Sequence, residues 1–193
     1  MIEGALRRAF VAVVPPPAVL DTIAALVPRD PARGDARRMR WTQRDRWHVT
    51  VEFLGRVDDA VGLADALRAA VAGLPSFGVR LRGAGAFPEP KRSEVFWLGV
   101  DDPDGGLRRA HTAVVDAARA CGVRVVPPPF TPHLTLAYLR KRTDLRPDVA
   151  ALDGVAVGEA WTVGALALLE SDPSRRETPS GPYHLVAPLP LGG

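Results

Sequence analysis

The chain has 193 residues, of which 47% are hydrophobic and 24% are charged, and its net charge is +3. This length fits one domain of about 100–200 residues, and the hydrophobic content excludes wholesale disorder. A single cysteine excludes an intrachain disulfide and a cysteine-rich metal site. No stretch approaches the roughly 18 apolar residues that a membrane span needs. We therefore expect a cytoplasmic protein with one domain over residues 1–193.

Arginine supplies nearly all of the positive charge, and its densest cluster lies between residues 29 and 46. Two interpretations of this cluster stay open: a solvated loop, or a surface that attracts the backbone of a nucleic acid. The arginines of the cluster are Arg29, Arg33, Arg37, Arg38, Arg40, Arg44 and Arg46.

The first half of the chain predicts strands and helices that end at prolines or glycines. The apolar run 9–14 predicts a strand and not a secretory signal, because it is short and no small-residue cleavage site follows. The next predicted elements are helix 18–27, strand 47–54, a helix that begins after Asp59 and ends at Gly73, and strands 77–87 and 95–100.

The second half predicts a similar order of elements. They are helix 103–121, strand 133–139, a short helix 145–152, strands 161–170 and 183–187, and a frayed C-terminal segment 188–193. Strands and helices are mixed without a strict alternation, which favours an α+β fold with antiparallel sheets.

Two of the predicted strands carry the same polar pair: HVTVEFLG begins at His48, and HLTLAYL begins at His133. Because residues two apart share a face of a strand, His48 and Thr50 point the same way, as do His133 and Thr135. Two such pairs in apolar surroundings arise by chance with a probability on the order of 10⁻³. The duplication predicts that the two pairs face one another across a pseudo-twofold axis.

Two imidazoles in a common cleft suit a reaction that needs a general base and a general acid. Threonine hydroxyls beside them can donate hydrogen bonds to the oxygens of a phosphate. In-line hydrolysis of a phosphodiester needs this layout, so we expect neither a metal nor a cofactor. A zinc site would require a third ligand that the spacing does not suggest, and His111 and His184 are interpreted as structural.

The chain resembles the 2H phosphoesterase superfamily, and specifically its RNA 2′,3′-cyclic phosphodiesterase branch, which is also called 2′-5′ RNA ligase-like. The duplicated His-x-Thr-x motif carries the resemblance, which extends over nearly the whole chain. Further segments similar to the family are RRAFVAVVPP (7–16), AFPEPKRSEVFWLGV (86–100), PHLTLAYL (132–139) and ALLES (167–171), followed by Gly181 and Tyr183.

The resemblance implies a bilobal, pseudo-symmetric α+β fold, in which two antiparallel sheets surround a central cleft, helices lie outside, and each of two interleaved lobes holds one motif. It implies metal-independent hydrolysis of a 2′,3′-cyclic phosphate at an RNA end to a 2′-phosphomonoester. His48 would be the general acid, His133 the general base, and Thr50 and Thr135 the phosphate ligands. The near symmetry of the motifs leaves the two histidine roles exchangeable. Weak reversible 2′-5′ ligation of tRNA halves is also implied.

One position departs from the family pattern, in which an arginine often follows the second histidine by five residues. Tyr138 stands there, and Arg140 comes two residues later. Arg140 binds the phosphate instead, or another arginine does, or Tyr138 marks a subgroup with a different substrate. For Arg140, an equal alternative is that it only solvates the end of the strand. Phe53, Trp47 and Tyr138 are candidates for stacking on a base, and for Phe53 and Trp47 a place in the core is the equal alternative.

We thus expect a monomeric enzyme that acts on RNA with a 2′,3′-cyclic phosphate end. Two other functions stay open on the sequence. The same site could act on a small cyclic nucleotide or on ADP-ribose cyclic phosphate, or the cleft could bind RNA ends without catalysis.

Overall fold

The computed structural model describes residues 5–27, 39–126, 129–171 and 183–193. The strands formed within these residues are β1 Leu6–Val13, β2 Met39–Trp41, β3 Val49–Val57, β4 Phe77–Phe87, β5 Ser93–Asp101, β6 His133–Thr143, β7 Ala156–Val163, β8 Ala165–Ser171 and β9 Tyr183–Pro190. The helices are α1 Pro17–Leu26, α2 Ala60–Val71, α3 Gly106–Ala120 and α4 Arg146–Ala151. The predicted residues Arg29, Arg33, Arg37, Arg38 and Gly181 lie outside the described ranges.

The strands form an antiparallel sheet in the order β7-β4-β5-β6-β3-β1-β8-β9, and β2 pairs with β6 beside β3. The register between β6 and β3 consists of one pair, Val49 with Leu134. This pair joins a first half-sheet (β3, β1, β8, β9) to a second half-sheet (β7, β4, β5, β6). The predicted α+β class is confirmed, and the two predicted antiparallel sheets are these two half-sheets.

The helices form where apolar residues recur at helical spacing. In α2, Leu63, Leu67 and Val71 are buried, and the Asp59 carboxylate caps the helix by accepting a hydrogen bond from the Gly62 N–H at 2.9 Å. The main core lies between the helices and one face of the sheet. Phe10, Ala12 and Leu169 form a separate small cluster, which lies on the opposite face, here called the site face.

Three predictions about the elements were wrong. The predicted strand 161–170 is interrupted at Gly164, and its parts, β7 and β8, belong to different half-sheets. The C-terminal segment is not frayed, because β9 continues to Pro190 and Leu189 is fully buried. Strand β2 was missed, because three residues inside an arginine-rich stretch show no hydrophobic alternation.

No helix of the described residues is long and apolar enough to cross a membrane.

Candidate active site

The two motif histidines are held in the same way. The Nδ1 atom of His48 lies 2.8 Å from the backbone oxygen of Arg46, and the Nδ1 atom of His133 lies 2.7 Å from that of Thr131. A carbonyl oxygen can only accept, so Nδ1 carries the proton in both rings. Each neutral ring therefore keeps Nε2 as an acceptor for a proton from another molecule.

The pair Val49–Leu134 brings the two motifs together. In an antiparallel register, the residues on either side of such a pair are also aligned. His48 is then aligned with Thr135, and Thr50 with His133. The structure thus brings all four predicted motif residues to one place, with each histidine opposite the other motif's threonine.

Two aromatic rings enclose each imidazole. The ring centroid of His48 lies 5.0 Å from that of Phe10 and 5.1 Å from that of Tyr183. The ring centroid of His133 lies 4.9 Å from that of Phe87 and 5.7 Å from that of Trp97. All four stand in segments similar to the family, yet sequence reasoning gave them no role at the site, because only tertiary structure brings them to the histidines.

Burial lowers the pKa of both imidazoles. It lowers the pKa of His48 to about 4, against the opposing effect of the Arg46 carbonyl, and a charge on His133 lowers it further. Burial likewise lowers the pKa of His133, and its hydrogen bond to Thr131 opposes this. A charged imidazole loses more hydration energy on burial than a neutral one, so both rings are neutral near pH 7.

A β-bulge follows the first motif. Ala12 pairs with Thr50 and Val11 pairs with Glu52, so Val51 is an extra residue in β3. Without it, the alternation of side chains would turn Phe53 to the core. With it, Phe53, which pairs with Phe10, shares the site face with Thr50.

The second motif contains the same bulge. Trp97 pairs with Thr135 and Phe96 pairs with Ala137, so Leu136 is the extra residue in β6. Tyr138, which pairs with Val95, therefore returns to the site face. Phe53 and Tyr138 are equivalent positions, five residues after their histidines, and they are 66% and 45% exposed.

The other predicted site residues lie in different surroundings. Trp47 belongs to the core and is 5% exposed, which leaves little of its ring available for stacking. Arg140 is exposed at the outer end of β6. Tyr138 lies under the guanidinium of Arg40, whose Cζ is 5.4 Å from the ring centroid. Burial raises the pKa of Tyr183, and Tyr138 adds to this rise.

The two remaining histidines differ. His111 is partly buried: its Nε2 lies 3.0 Å from a carboxylate oxygen of the buried Glu52, and its ring stacks on Phe130, while its structural role stays a prediction. His184 and His48 both line a cavity of about 360 Å³. The other residues that line this cavity are Val14, Asp45, Trp47, Leu169, Tyr183 and Leu185.

Among the described residues, no group of three or more histidine, cysteine, aspartate or glutamate side chains is arranged to hold a metal ion. The chemistry that the site itself offers is proton transfer by two imidazoles and hydrogen bonding by two hydroxyls.

Comparison with known proteins gives consistent results. A protein of Aeropyrum pernix named RNA 2′,3′-cyclic phosphodiesterase is 34% identical over 55% of this chain, a match that spans 61% of that protein. A protein of the same name from Methanothermobacter thermautotrophicus is 27% identical over 92% of this chain and 94% of its own length.

Among solved structures, TT0787 of Thermus thermophilus superimposes with a TM-score of 0.72 and 27% identity, over 96% of this chain and 98% of that one. The model of the 2′-5′ RNA ligase superfamily matches residues 15–175, a span that includes both histidine motifs. The chain belongs to the 2′-5′ RNA ligase superfamily.

Proposed function

We propose that the protein hydrolyses the 2′,3′-cyclic phosphate at an RNA end to a 2′-phosphomonoester. The observation that carries this proposal is the paired arrangement of His48 and His133, in which each ring is oriented by a backbone carbonyl and aligned with the other motif's threonine. The names of the relatives support the substrate class.

In the proposed reaction, Nε2 of His133 accepts a proton from water, whose oxygen attacks phosphorus. The bond from phosphorus to the ribose 3′ oxygen breaks on the opposite side. That oxygen takes a proton from Nε2 of His48, and the phosphate remains on the 2′ oxygen. The hydroxyls of Thr50 and Thr135 donate hydrogen bonds to the non-bridging oxygens.

General acid catalysis requires that His48 carry a proton on Nε2 as well. Burial disfavours this imidazolium in the free protein. A bound phosphodiester brings a negative charge beside the ring, and an adjacent opposite charge favours the charged form. Substrate binding thus raises the pKa of His48 toward a useful value. Each proton transfer has a protein partner, and no step uses a metal ion.

The test compares the wild type with His48→Ala and His133→Ala on an oligonucleotide with a 2′,3′-cyclic phosphate end, in the presence of EDTA. Each substitution is expected to lower kcat/KM by roughly 10²–10⁴-fold. His111→Gln is the matched control, because it replaces a histidine on the helix-covered face and keeps an N–H donor for Glu52. Full activity of either alanine variant would contradict the mechanism, and inhibition of the wild type by EDTA would contradict metal independence. Tight binding without turnover would favour a non-catalytic RNA-end module.

The cavity beside His48 favours a second candidate, hydrolysis of a small cyclic nucleotide or of ADP-ribose cyclic phosphate. Its volume of about 360 Å³ lies near the lower end of small-molecule sites, which span about 300–1,000 Å³. It combines an apolar lining with Asp45, Tyr183 and His184.

We further propose that the enzyme is a monomeric, cytoplasmic single domain with RNA, including tRNA fragments, as its partner. Because the 5′-hydroxyl of a second RNA can replace water as the nucleophile, with His133 accepting its proton and His48 protonating the departing 3′ oxygen, weak 2′-5′ ligation is expected with RNA halves. Light scattering on the purified protein tests the monomer.

A further inference from the structure

The catalytic groups proposed above lack a permanent positive charge. The hydroxyls of Thr50 and Thr135 are neutral, and burial favours the neutral form of both imidazoles. A phosphodiester is an anion, and its charge increases at the non-bridging oxygens during attack by water. A fixed cation next to these oxygens would stabilise both the bound substrate and the transition state.

The bulge at Leu136 makes Tyr138 the residue that follows Thr135 on the site face. Strand β2 lies along β6 at this point and pairs Arg40 with Tyr138. Directly opposite residues of an antiparallel pair project from the same face. Arg40 therefore projects from the site face. Its strand, β2, lies along the same edge of β6 as β3.

The Arg40 side chain is exposed, and its guanidinium lies over the Tyr138 ring. Its Cζ is 5.4 Å from the ring centroid, within the range of about 6 Å over which an aromatic face attracts a cation. A guanidinium has five N–H donors in one plane, matched to phosphate oxygens. An arginine whose orientation is already limited loses less freedom when it binds an anion.

Two other arginines compete for this assignment. Arg140 lies two residues beyond Tyr138 on β6 and is exposed, which places it a further ~7 Å along the strand from Thr135. Arg46 supplies the carbonyl that orients His48, and the charge of its side chain partly offsets the rise that burial causes in the pKa of Tyr183. Of these three arginines, only Arg40 combines a cross-strand position on the site face with a contact to Tyr138.

We propose that Arg40, held over the Tyr138 ring, is the cation that binds the substrate phosphate at the Thr135 end of the site. This inference rests on the proposed function, and it answers the question that Tyr138 raised in the sequence. The positive charge comes from β2, and Tyr138 acts as the positioning residue.

The first experiment measures kcat/KM on the cyclic-phosphate oligonucleotide for Arg40→Gln, Arg140→Gln and Arg46→Gln. Loss of a hydrogen bond to a charged group lowers kcat/KM by roughly 10- to 10²-fold, which is the result expected for Arg40→Gln. Arg142→Gln is the matched control, because Arg142 lies on β6 and binds Glu94 at 2.6 Å. A larger loss in Arg140→Gln or Arg46→Gln than in Arg40→Gln would overturn the proposal.

The second experiment separates a positioned cation from a merely structural role. Tyr138→Phe keeps the aromatic face and is expected to keep activity. Tyr138→Ala is expected to lower kcat/KM, but by less than Arg40→Gln does. Tyr138→Arg in the Arg40→Gln background restores a guanidinium from the opposite strand and is expected to recover activity. Failure of this double variant to exceed Arg40→Gln, although it is folded by circular dichroism, would contradict a role for the charge.

The third measurement separates this inference from the proposed function. Binding of inorganic phosphate to the wild type and to each variant is measured by isothermal titration calorimetry. Weaker binding by Arg40→Gln, with Arg142→Gln equal to the wild type, supports the phosphate site even if no RNA is hydrolysed. Equal phosphate affinity in wild type and Arg40→Gln, or no phosphate binding by the wild type, would reject it.

Discussion

His48 and His133 are equivalent in their backbone hydrogen bonds but not in their burial. Burial lowers the pKa of His48 to about 4, and a charge on His133 contributes to this lowering. Two imidazoles that interact in this way disfavour the state in which both are charged. One protonated and one neutral imidazole are thus favoured over two protonated imidazoles when the site takes up a proton. The orientation of the substrate decides which ring is the acid and which is the base.

The first prediction assigns these roles with a substrate whose bridging 3′ oxygen is replaced by sulfur. A thiolate leaves without needing a proton, so a general acid becomes dispensable. On the oxygen substrate, each alanine substitution is expected to lower the rate by roughly 10²–10⁴-fold. On the sulfur substrate, His48→Ala is expected to recover most of this loss, whereas His133→Ala is expected to remain slow. Turnover rates of both variants on the oxygen and sulfur substrates provide the measurement. Recovery by His133→Ala instead would exchange the two roles.

The second prediction concerns pH. The profile of kcat/KM reports the free protein, in which both histidine pKa values are lowered. The rate falls as the pH rises through the pKa of the acid, and it falls as the pH drops through the pKa of the base. With both values below the ordinary 6.5, the maximum of kcat/KM is expected below pH 6.5. The kcat maximum should lie at higher pH, because bound phosphate favours the imidazolium.

The sulfur substrate is the control for this profile, since it should remove the alkaline limb and keep the acidic limb. A kcat/KM maximum above pH 7 would contradict the lowered pKa values.

At the scale of single elements, β4 supports the second motif through a glycine. Gly85 pairs with Trp97, and a Cβ at Gly85 would overlap the Trp97 ring. That ring packs against His133 and Phe87. The absence of a side chain on β4 therefore determines where the wall of the His133 site lies.

The third prediction is that Gly85→Ala lowers kcat/KM by roughly 10- to 10²-fold, because displacement of Trp97 shifts the His133 ring from its reactive position. The matched control is Gly78→Ala on the same strand, where a Cβ would meet nothing within 4 Å. Steady-state kinetics and circular dichroism of both variants provide the measurement. Equal activity of the two variants would show that the Trp97 wall has no influence on His133.

The elements also show which features a sequence can predict. The duplicated motif and its two strands were predictable, because polar pairs in apolar runs have a local signature. The bulges at Val51 and Leu136 were not, since both are ordinary apolar residues and only pairing with β1 and β5 reveals them. Strand β2 and the division at Gly164 likewise depend on distant partners.

At the scale of the whole molecule, the site lies where the two half-sheets meet. The pair Val49–Leu134 separates the two histidine–threonine alignments, and the bulges place Phe53 and Tyr138 at equivalent positions farther out. A substrate centred on the pseudo-twofold axis therefore meets the exposed Phe53 ring in one direction and, in the other, the Tyr138 ring with Arg40 over one of its faces. Stacking on a base is tolerant of base identity, so such rings suit a chain of nucleotides of varied sequence.

The fourth prediction tests whether RNA or a small nucleotide is the substrate. We expect a nucleotide chain that leaves the site to pass Arg46 and Arg44 in the turn before His48, where Arg44 also pairs with Asp21 at 2.7 Å. Each phosphate that they neutralise contributes roughly −0.7 to the slope of log kcat/KM against log salt concentration. A ten-nucleotide RNA with a cyclic phosphate end is therefore expected to have a higher kcat/KM at low salt than a 2′,3′-cyclic mononucleotide, and a steeper salt dependence. Equal values and equal slopes would mean that recognition ends at the terminal nucleotide, and the cavity beside His48 would then define a small cyclic nucleotide as the substrate.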